Sequence, residues 1–264
     1  LSILMVAAEM APFAKEGGLG DALHGLSRAL SRLGHDVRAV LPCYASIDAD
    51  RYDLRYCLSM DGPMGVLGRL AVEVLEGQVP GSGVTAYFVR HYPYYARRVL
   101  YGHDGDGYTD NDRRFVLLSR AALELMGALG LEPDVVHAHD WHAAAVPVYL
   151  DTLYRKNAGA RNPASFLTIH NMQQQGVFDK ALMDVLEIGW EHFHFRDMEF
   201  FDRVNLMKGG IYHATILSTV SPSYAWEIRR PDFACGIDGV VRDRGSDLFG
   251  ILNGVDYEEW NPES

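Results

Sequence analysis

The sequence predicts an α/β fold built on a doubly wound parallel sheet, and three observations carry this prediction. The chain begins with a short apolar run, a glycine-rich turn, a periodic apolar helix and a second apolar run. Later apolar runs end in polar side chains, where the carboxyl ends of parallel strands are expected. With 264 residues and 48% hydrophobic composition, the chain is large enough to bury one substantial core.

The first 42 residues predict one strand–helix–strand unit. Residues 3–8 are apolar and end at Glu9, as expected of a buried parallel strand. Four leucines between 23 and 33 recur at helical spacing, and Gly34 follows them as a helix stop. The second strand is predicted at residues 36–42, closed by a proline.

The middle of the chain predicts a hairpin, a loop and a helix. Residues 70–77 and 84–90 alternate apolar and polar side chains around a Pro-Gly turn, which is typical of a strand pair. Residues 91–111 are rich in tyrosine, glycine and aspartate and predict a long surface loop of functional importance. Helical periodicity returns at residues 112–129.

Four later segments predict strands whose carboxyl ends carry polar residues. They lead to the histidines after residue 136, to His170 and Asn171, to Ser221, and to the turn that contains Asn253. Because ligands of open parallel sheets bind beyond the carboxyl ends of the strands, the site is predicted at this edge. Ser221 lacks the glycine pattern of a nucleophile elbow.

Charge and composition exclude several classes of partner. A net charge of −11 and a pI near 5.4 argue against general binding to nucleic acid or an anionic membrane. No apolar stretch approaches the roughly 18 residues of a membrane span. The three cysteines are widely spaced and form no C-x-x-C pair, which favours reduced thiols. We therefore expect a soluble cytoplasmic protein.

The glycine loop does not match a dinucleotide-binding motif, and two other interpretations remain. Gly17, Gly18 and Gly20 do not complete G-x-G-x-x-G, because Leu23 takes the third place, and no acid closes the second strand. Amides at a helix N-terminus beside Lys15 favour a phosphate group. The alternative is a tight turn with a solvated lysine.

Two further segments leave alternatives open. His137, His139 and Asp140 have a spacing that suits a metal-dependent hydrolase, or they are hydrogen-bonded around a strand end. The tyrosines of residues 92–108 suit stacking on sugar rings, as in a glucan-binding module, or pack against one another.

Seven motifs in order resemble the bacterial glycogen synthases and plant starch synthases. They are AEM at residues 8–10, KEGGLGD at 15–21, YTDNDRRF at 108–115, DVVHAHDWHA at 134–143, TIHN…QGVF at 168–178, VSPSYAWEI at 220–228 and GILNGVDYEEWNP at 250–262. The resemblance implies the N-terminal Rossmann-like half of a GT-B glycosyltransferase, with residues 1–264 as one domain. It implies ADP-glucose as donor, an α-1,4-glucan as acceptor, neither cofactor nor metal, and no activity of the domain alone.

The resemblance also implies roles for matched positions. Lys15 matches a donor-contacting lysine, in a loop where Gly17 and Gly18 face phosphates. The other matched positions are the reacting-centre histidine His170, the essential acidic position Asp140, the sugar-site residues Asp21, Asn171 and Asn253, the site-lining Tyr101 and the cleft carboxylate Glu9. Glu16 and the pair Gln173-Gln174 depart from the family pattern.

Overall fold

The computed structural model describes residues 1–103, 105–155 and 162–255, and its main feature is a nine-stranded sheet. Two small sheets of three and two strands accompany it in this described part. The strands are β1 Ser2–Val6, β2 Asp36–Pro42, β3 Arg55–Pro63, β4 Arg69–Gln78, β5 Thr85–Arg90, β6 Gly102–His103, β7 Asp106–Gly107, β8 Val135–His139, β9 Ala164–Ile169, β10 Val177–Asp179, β11 Glu199–Phe200, β12 Arg203–Asn205, β13 Ile216–Thr219 and β14 Leu248–Gly250.

Ten α-helices connect the strands within the described ranges. They are α1 Gly18–Arg32, α2 Tyr92–Tyr95, α3 Asn111–Leu129, α4 Asp140–Ala143, α5 Ala145–Thr152, α6 Leu182–Leu186, α7 Leu206–His213, α8 Pro222–Glu227, α9 Pro231–Ala234 and α10 Asp238–Asp243. Single turns of 3-10 helix span Gly65–Leu67 and Trp190–His192. None of the helices in these ranges has the length and apolar character needed to cross a membrane.

The large sheet confirms the predicted doubly wound topology. Its strand order is β14-β13-β9-β8-β1-β2-β5-β4-β3, and the seven strands from β14 to β5 are parallel. After β1, the strands β2 and β5 are added on one side of β1. The later strand β8 is added on the other side. The topological switch point, where such sheets bind ligands, therefore lies between β1 and β8.

The predicted first unit is correct in outline, but the glycine turn is shorter than expected. Helix α1 begins at Gly18, so Gly18 and Gly20 belong to its first turn. The helical spacing of the leucines holds, yet Leu26 and Leu33 are exposed while Leu23 is fully buried. Tertiary contacts of the loop, described below, override the low helix propensity of glycine.

The sheet also contains an antiparallel edge that the sequence only partly predicted. The hairpin of β4 and β5 is confirmed by their antiparallel register. Strand β3 was not predicted, and it pairs with β4 through a register shift near Tyr56. Tyr56, Leu58 and Met60 alternate with more polar residues in β3, a short apolar pattern that the prediction overlooked, although only Gly62 of the nine residues is buried.

Residues 91–103 and 105–111 contain more regular structure than the predicted loop. They include α2 and the antiparallel pair of β6 and β7, and Tyr95 is completely buried. Arg114 is buried beside it and donates to the carbonyl oxygens of Tyr94 (2.8 Å) and Leu100 (2.9 Å) and to Oδ1 of Asn111 (2.6 Å). One buried guanidinium thus fixes this tyrosine-rich segment to α3.

Candidate functional site

The candidate site lies at the carboxyl edge of the large sheet, on both sides of the switch point. Glu9 follows β1, Asp140 follows β8, and His170 and Asn171 follow β9. Asn253 lies three residues beyond β14 at the same edge and is exposed. The prediction that polar strand ends gather at one edge is confirmed by the parallel pairing of these strands.

Glu9 connects the glycine loop to the tyrosine-rich segment. Its Oε2 atom accepts the backbone N–H groups of Glu16 (2.6 Å) and Gly17 (3.0 Å), and its Oε1 atom accepts the hydroxyl of Tyr101 (2.8 Å). The residue is only 4% exposed. A buried carboxylate with three donors is well satisfied, so Glu9 holds the loop ahead of α1 in place.

Lys15 and Asp21 form an ion pair beside this loop. The Nζ atom of Lys15 lies 2.6 Å from Oδ2 of Asp21, and both side chains are partly exposed. Oδ1 of Asp21 is buried and has no hydrogen-bond partner among the residues that the structure describes. The pair therefore combines a cation at the surface with a buried acceptor suited to a ligand hydroxyl.

Gly18 and Gly20 differ in what an added methyl group would meet, which gives a matched test of the loop. A Cβ atom at Gly20 would lie 3.2 Å from Cβ and Cγ of Lys15 and 3.4 Å from the backbone nitrogen of Ala11, whereas one at Gly18 meets nothing within 4 Å. We expect Gly20→Ala to lower the Tm, by roughly 2–4 °C for each kcal/mol that overpacking removes from the free energy of unfolding. Gly18→Ala should leave the Tm unchanged or raise it, because alanine favours a helix. Thermal unfolding followed by circular dichroism measures both, and equal shifts would contradict this account.

Asp140 joins the ends of β8 and β9. Its Oδ1 atom accepts the backbone N–H groups of His170 (2.7 Å) and Asn171 (3.2 Å). Its backbone is in the left-handed region at φ 56°, which asparagine and aspartate tolerate better than most residues. Burial raises the pKa of Asp140 to about 7, the two amide hydrogen bonds oppose this, and the charge of Glu9 adds to it.

The histidines of β8 pack against one another and form hydrogen bonds at the strand end. The rings of His137 and His139 lie 4.0 Å apart, His137 Nε2 is 2.7 Å from Oγ1 of Thr168, and His139 Nδ1 is 3.1 Å from Nε2 of His170. Within the described ranges, the side chains that lie close enough together to share a metal ion do not include these histidines. The hydrogen-bonded alternative is therefore favoured over the metal-dependent hydrolase.

These buried rings resist protonation. Burial lowers the pKa of His137 to about 3 and that of His170 to about 4. Burial also lowers the pKa of His139 well below its usual value, with the neighbouring histidines adding to the effect. Charged imidazoles are disfavoured in this poorly solvated edge, so the histidines remain neutral at pH 7.

His142 is a site residue to which the sequence had assigned no role. Its ring lies 4.7 Å from that of Tyr101 and 4.6 Å from that of Phe115. Burial lowers its pKa to about 3, and its buried Nδ1 atom has no hydrogen-bond partner within the described residues. Its position three residues after His139 was visible in the sequence, but its contact with a tyrosine 41 positions earlier was not.

Two other predicted site residues, Tyr101 and Asn171, form hydrogen bonds near these groups. The backbone carbonyl of Tyr101 accepts the side-chain amide of Asn111 (2.8 Å). The Oδ1 atom of Asn171 accepts the backbone N–H of Gln173 (3.0 Å). The structure thus brings together Glu9, Gly17 and Tyr101 on one side of the switch point, and Asp140, His170 and Asn171 on the other.

Comparison with known proteins identifies the family. The family model described as the starch synthase catalytic domain matches residues 2–243. The chain belongs to this family. Glycogen synthase 1 of Geobacter sulfurreducens is 55% identical over 265 residues, and the glycogen synthase of Thermodesulfovibrio yellowstonii is 38% identical over 276 residues. Both alignments cover 100% of this chain, and 53% and 55% of the relatives.

A solved structure of the starch synthase family has the same fold. It is the catalytic domain of Starch Synthase IV from Arabidopsis thaliana bound to ADP and acarbose, with a TM-score of 0.89 and 35% identity. The match covers 100% of this chain and 54% of that chain. The predicted GT-B glycosyltransferase fold class is therefore confirmed, and the chain spans about half the length of the starch and glycogen synthases it matches.

Proposed function

We propose that this chain is the N-terminal half of a retaining glucosyltransferase that moves glucose from ADP-glucose to the non-reducing end of an α-1,4-glucan. The observation that carries the proposal is the pair of buried carboxylates at the switch point. Glu9 holds the amides of the glycine loop, and Asp140 holds those of His170 and Asn171. Together with membership of the starch synthase family, this supports a preorganised site for a nucleotide sugar.

The glycine loop supplies the donor-binding part of the proposed site. Lys15 and Gly17 are exposed ahead of the 15-residue helix α1, and Gly18 is exposed at its first residue, where the helix dipole favours negative charge. Lys15 exchanges its ion pair with Asp21 for the diphosphate of ADP-glucose in this proposal. The freed carboxylate of Asp21 then accepts a glucose hydroxyl, as its unpartnered Oδ1 atom already favours.

The opposite side of the switch point supplies the reacting centre. In the proposed retaining transfer the bond from the anomeric carbon to the diphosphate breaks and positive charge develops on the sugar. A glucan hydroxyl forms the new bond, and its proton passes to the departing diphosphate. The backbone carbonyl of His170 faces the anomeric carbon in this proposal, and a carbonyl dipole stabilises such positive charge. Asn171, Asn253 and Tyr101 line the sugar.

The proposed activity requires a second domain. Residues 1–264 form one domain in this proposal, although residues 256–264 lie outside the described part of the chain. The opposite domain supplies further cationic groups to the diphosphate, and closure of the two excludes water. We accordingly expect residues 1–264 alone to be inactive. The free thiols of Cys43, Cys57 and Cys235 support a cytoplasmic location.

Replacing Lys15 with alanine in the full-length enzyme tests the proposal. Losing a cation that contacts a diphosphate should raise the KM for ADP-glucose at least about tenfold, because charge-assisted contacts contribute 1.5–3 kcal/mol, roughly. The matched control is Lys180→Ala, since Lys180 also pairs with an aspartate, Asp202 (2.7 Å), on an exposed surface. The control should keep the wild-type KM. Equal KM values for both variants would refute the proposed role of Lys15.

A further inference from the structure

A second cluster of potential ligands lies away from the proposed site. His192 ends the 3-10 turn Trp190–His192, Asp197 lies in the following loop, and His213 ends α7. Among residues 1–103, 105–155 and 162–255, this is the group of histidine and acidic side chains whose ligand atoms all lie within 4.8 Å of one another. Neither the sequence motifs nor the proposed transfer reaction uses these three residues.

The two imidazoles converge on one carboxylate. Nδ1 of His192 lies 2.6 Å from Oδ2 of Asp197, and Nε2 of His213 lies 3.0 Å from Oδ1 of the same residue. The two ring centroids are 5.4 Å apart with planes inclined at 60°. Two imidazoles on one tetrahedral zinc ion, each with a metal–nitrogen bond of about 2 Å, place their ring centres roughly 5 Å apart. The rings therefore already have the separation that a shared metal ion requires.

A further carboxylate orients His213. Its Nδ1 atom lies 2.8 Å from Oδ2 of Asp151, on the neighbouring helix α5. A carboxylate that accepts the Nδ1 proton leaves Nε2 as the ligand atom, and this pairing accompanies most metal-bound histidines. The cluster thus includes the possible ligand atoms and also Asp151, the carboxylate that orients the ring of His213.

Burial and charge also suit a cation. The side chains of Asp197 and His213 are 8% and 9% exposed, whereas that of His192 is 23% exposed, which leaves an entry path on its side. Asp151 and Asp197 bring two carboxylates to the cluster, and the exposed Arg155 lies 3.7 Å from Oδ1 of Asp151. The ammonium group of the nearby Lys208 donates to the carbonyl oxygens of Phe195 and Glu199 and leaves the oxygens of Asp197 to the two imidazoles.

We propose that His192, Asp197 and His213 form a site for a divalent transition metal of the zinc class, with solvent as fourth ligand. The ion ties the segment 190–199 to α7 and, through Asp151, to α5. The ligand set of two imidazoles and a carboxylate matches the donors that zinc takes in proteins. The sequence had predicted no metal site, because these residues are separated by up to 21 positions without a recognisable spacing.

Cobalt binding to the full-length protein tests this site. After removal of metals with a chelator, Co²⁺ should bind once per chain and give the visible absorption of a four-coordinate cobalt ion, and Zn²⁺ should displace it. His192→Gln and Asp197→Asn should each weaken Co²⁺ binding at least about tenfold, and Asp151→Asn by roughly 10–100-fold. The control His103→Gln removes an exposed histidine and should leave binding unchanged.

Thermal unfolding of these variants distinguishes a lost metal site from a poorly folded protein. His192 is the most exposed ligand, so His192→Gln should keep the metal-free Tm of the wild type while losing the Tm increase that Zn²⁺ produces. Absence of the cobalt spectrum in the wild type would overturn the proposal. Binding that survives His192→Gln, or that is lost instead on replacing His139, would also overturn it.

Discussion

Replacing Asp140 with alanine in the full-length protein is expected to lower kcat of the proposed glucosyl transfer at least about a hundredfold, because a displacement of about 1 Å at the proposed reacting centre has effects of this size. Asp140 is the acceptor for the amides of His170 and Asn171, whose positions it fixes. Alanine would leave both amides without this partner and would adopt φ 56° only with strain. Initial rates at saturating ADP-glucose and glucan measure the effect.

Two further substitutions separate the causes of that loss. Asparagine keeps an oxygen that accepts both amides and tolerates the left-handed backbone, so Asp140→Asn should retain at least about ten times the activity of the alanine variant. Glycine relieves the backbone strain but supplies no acceptor, so Asp140→Gly should be nearly as inactive as alanine. If Asn is as inactive as Ala, the carboxylate charge matters more than the amide contacts, and the positioning role is wrong.

Mild acid is expected to destabilise the protein strongly. His137 and His142 have pKa values lowered to about 3, and His170 to about 4, while unfolded histidine titrates near 6.5. The unfolded state therefore binds more protons below pH 6.5, and stability falls as the pH decreases. At pH 5 each histidine costs about 2 kcal/mol, or about 6 kcal/mol together, with His139 acting in the same direction.

Asp140 opposes part of this loss. Its pKa is raised to about 7, so the folded state gains stability as Asp140 takes up its proton below pH 7, by about 3 kcal/mol at pH 5. His213, whose pKa is raised by Asp197 and Asp151 against the effect of burial, acts in the same direction as Asp140. The loss of about 6 kcal/mol from the histidines less the gain from Asp140 leaves a net loss of about 3 kcal/mol, which corresponds to a fall in Tm of about 10 °C between pH 7.5 and pH 5.

His142→Phe isolates one contribution to the acid sensitivity. Phenylalanine keeps the ring contacts with Tyr101 and Phe115 but does not titrate. The Tm difference between pH 7.5 and pH 5 should shrink by roughly 4–8 °C in this variant. His103→Gln, which removes an exposed histidine, should keep the full difference. An unchanged difference in His142→Phe would show that burial of this ring does not govern the acid response.

The sequence predicted those parts of the fold that depend on neighbouring residues. The apolar run at residues 3–8 identified β1, shorter apolar stretches identified β8 and β9, and the polar residues at their ends identified the edge that carries the site. Strand β3 was overlooked although Tyr56, Leu58 and Met60 alternate in it, because this short pattern stands between charged, glycine and proline residues. The start of α1 at Gly18 was missed because Glu9, outside the helix, fixes the preceding loop.

The contacts of the site were less predictable than its residues. Glu9 meets Tyr101 across 92 positions, and Asp140 meets His170 across 30, so no spacing pattern indicates either pair. The resemblance to the starch synthases named these residues, but only the structure gives the carboxylates as acceptors for backbone amides. His192, Asp197 and His213 lie in three separate elements and escaped prediction for the same reason.

The buried guanidinium of Arg114 has a consequence for how a ligand would be captured. Because it fixes segment 91–111 to α3, the conformational entropy of Tyr101 is lost when the protein folds and not when a ligand arrives. In the proposed site Tyr101 therefore belongs to a preformed surface. Conformational change on ligand binding is expected in elements other than the residues that Arg114 holds.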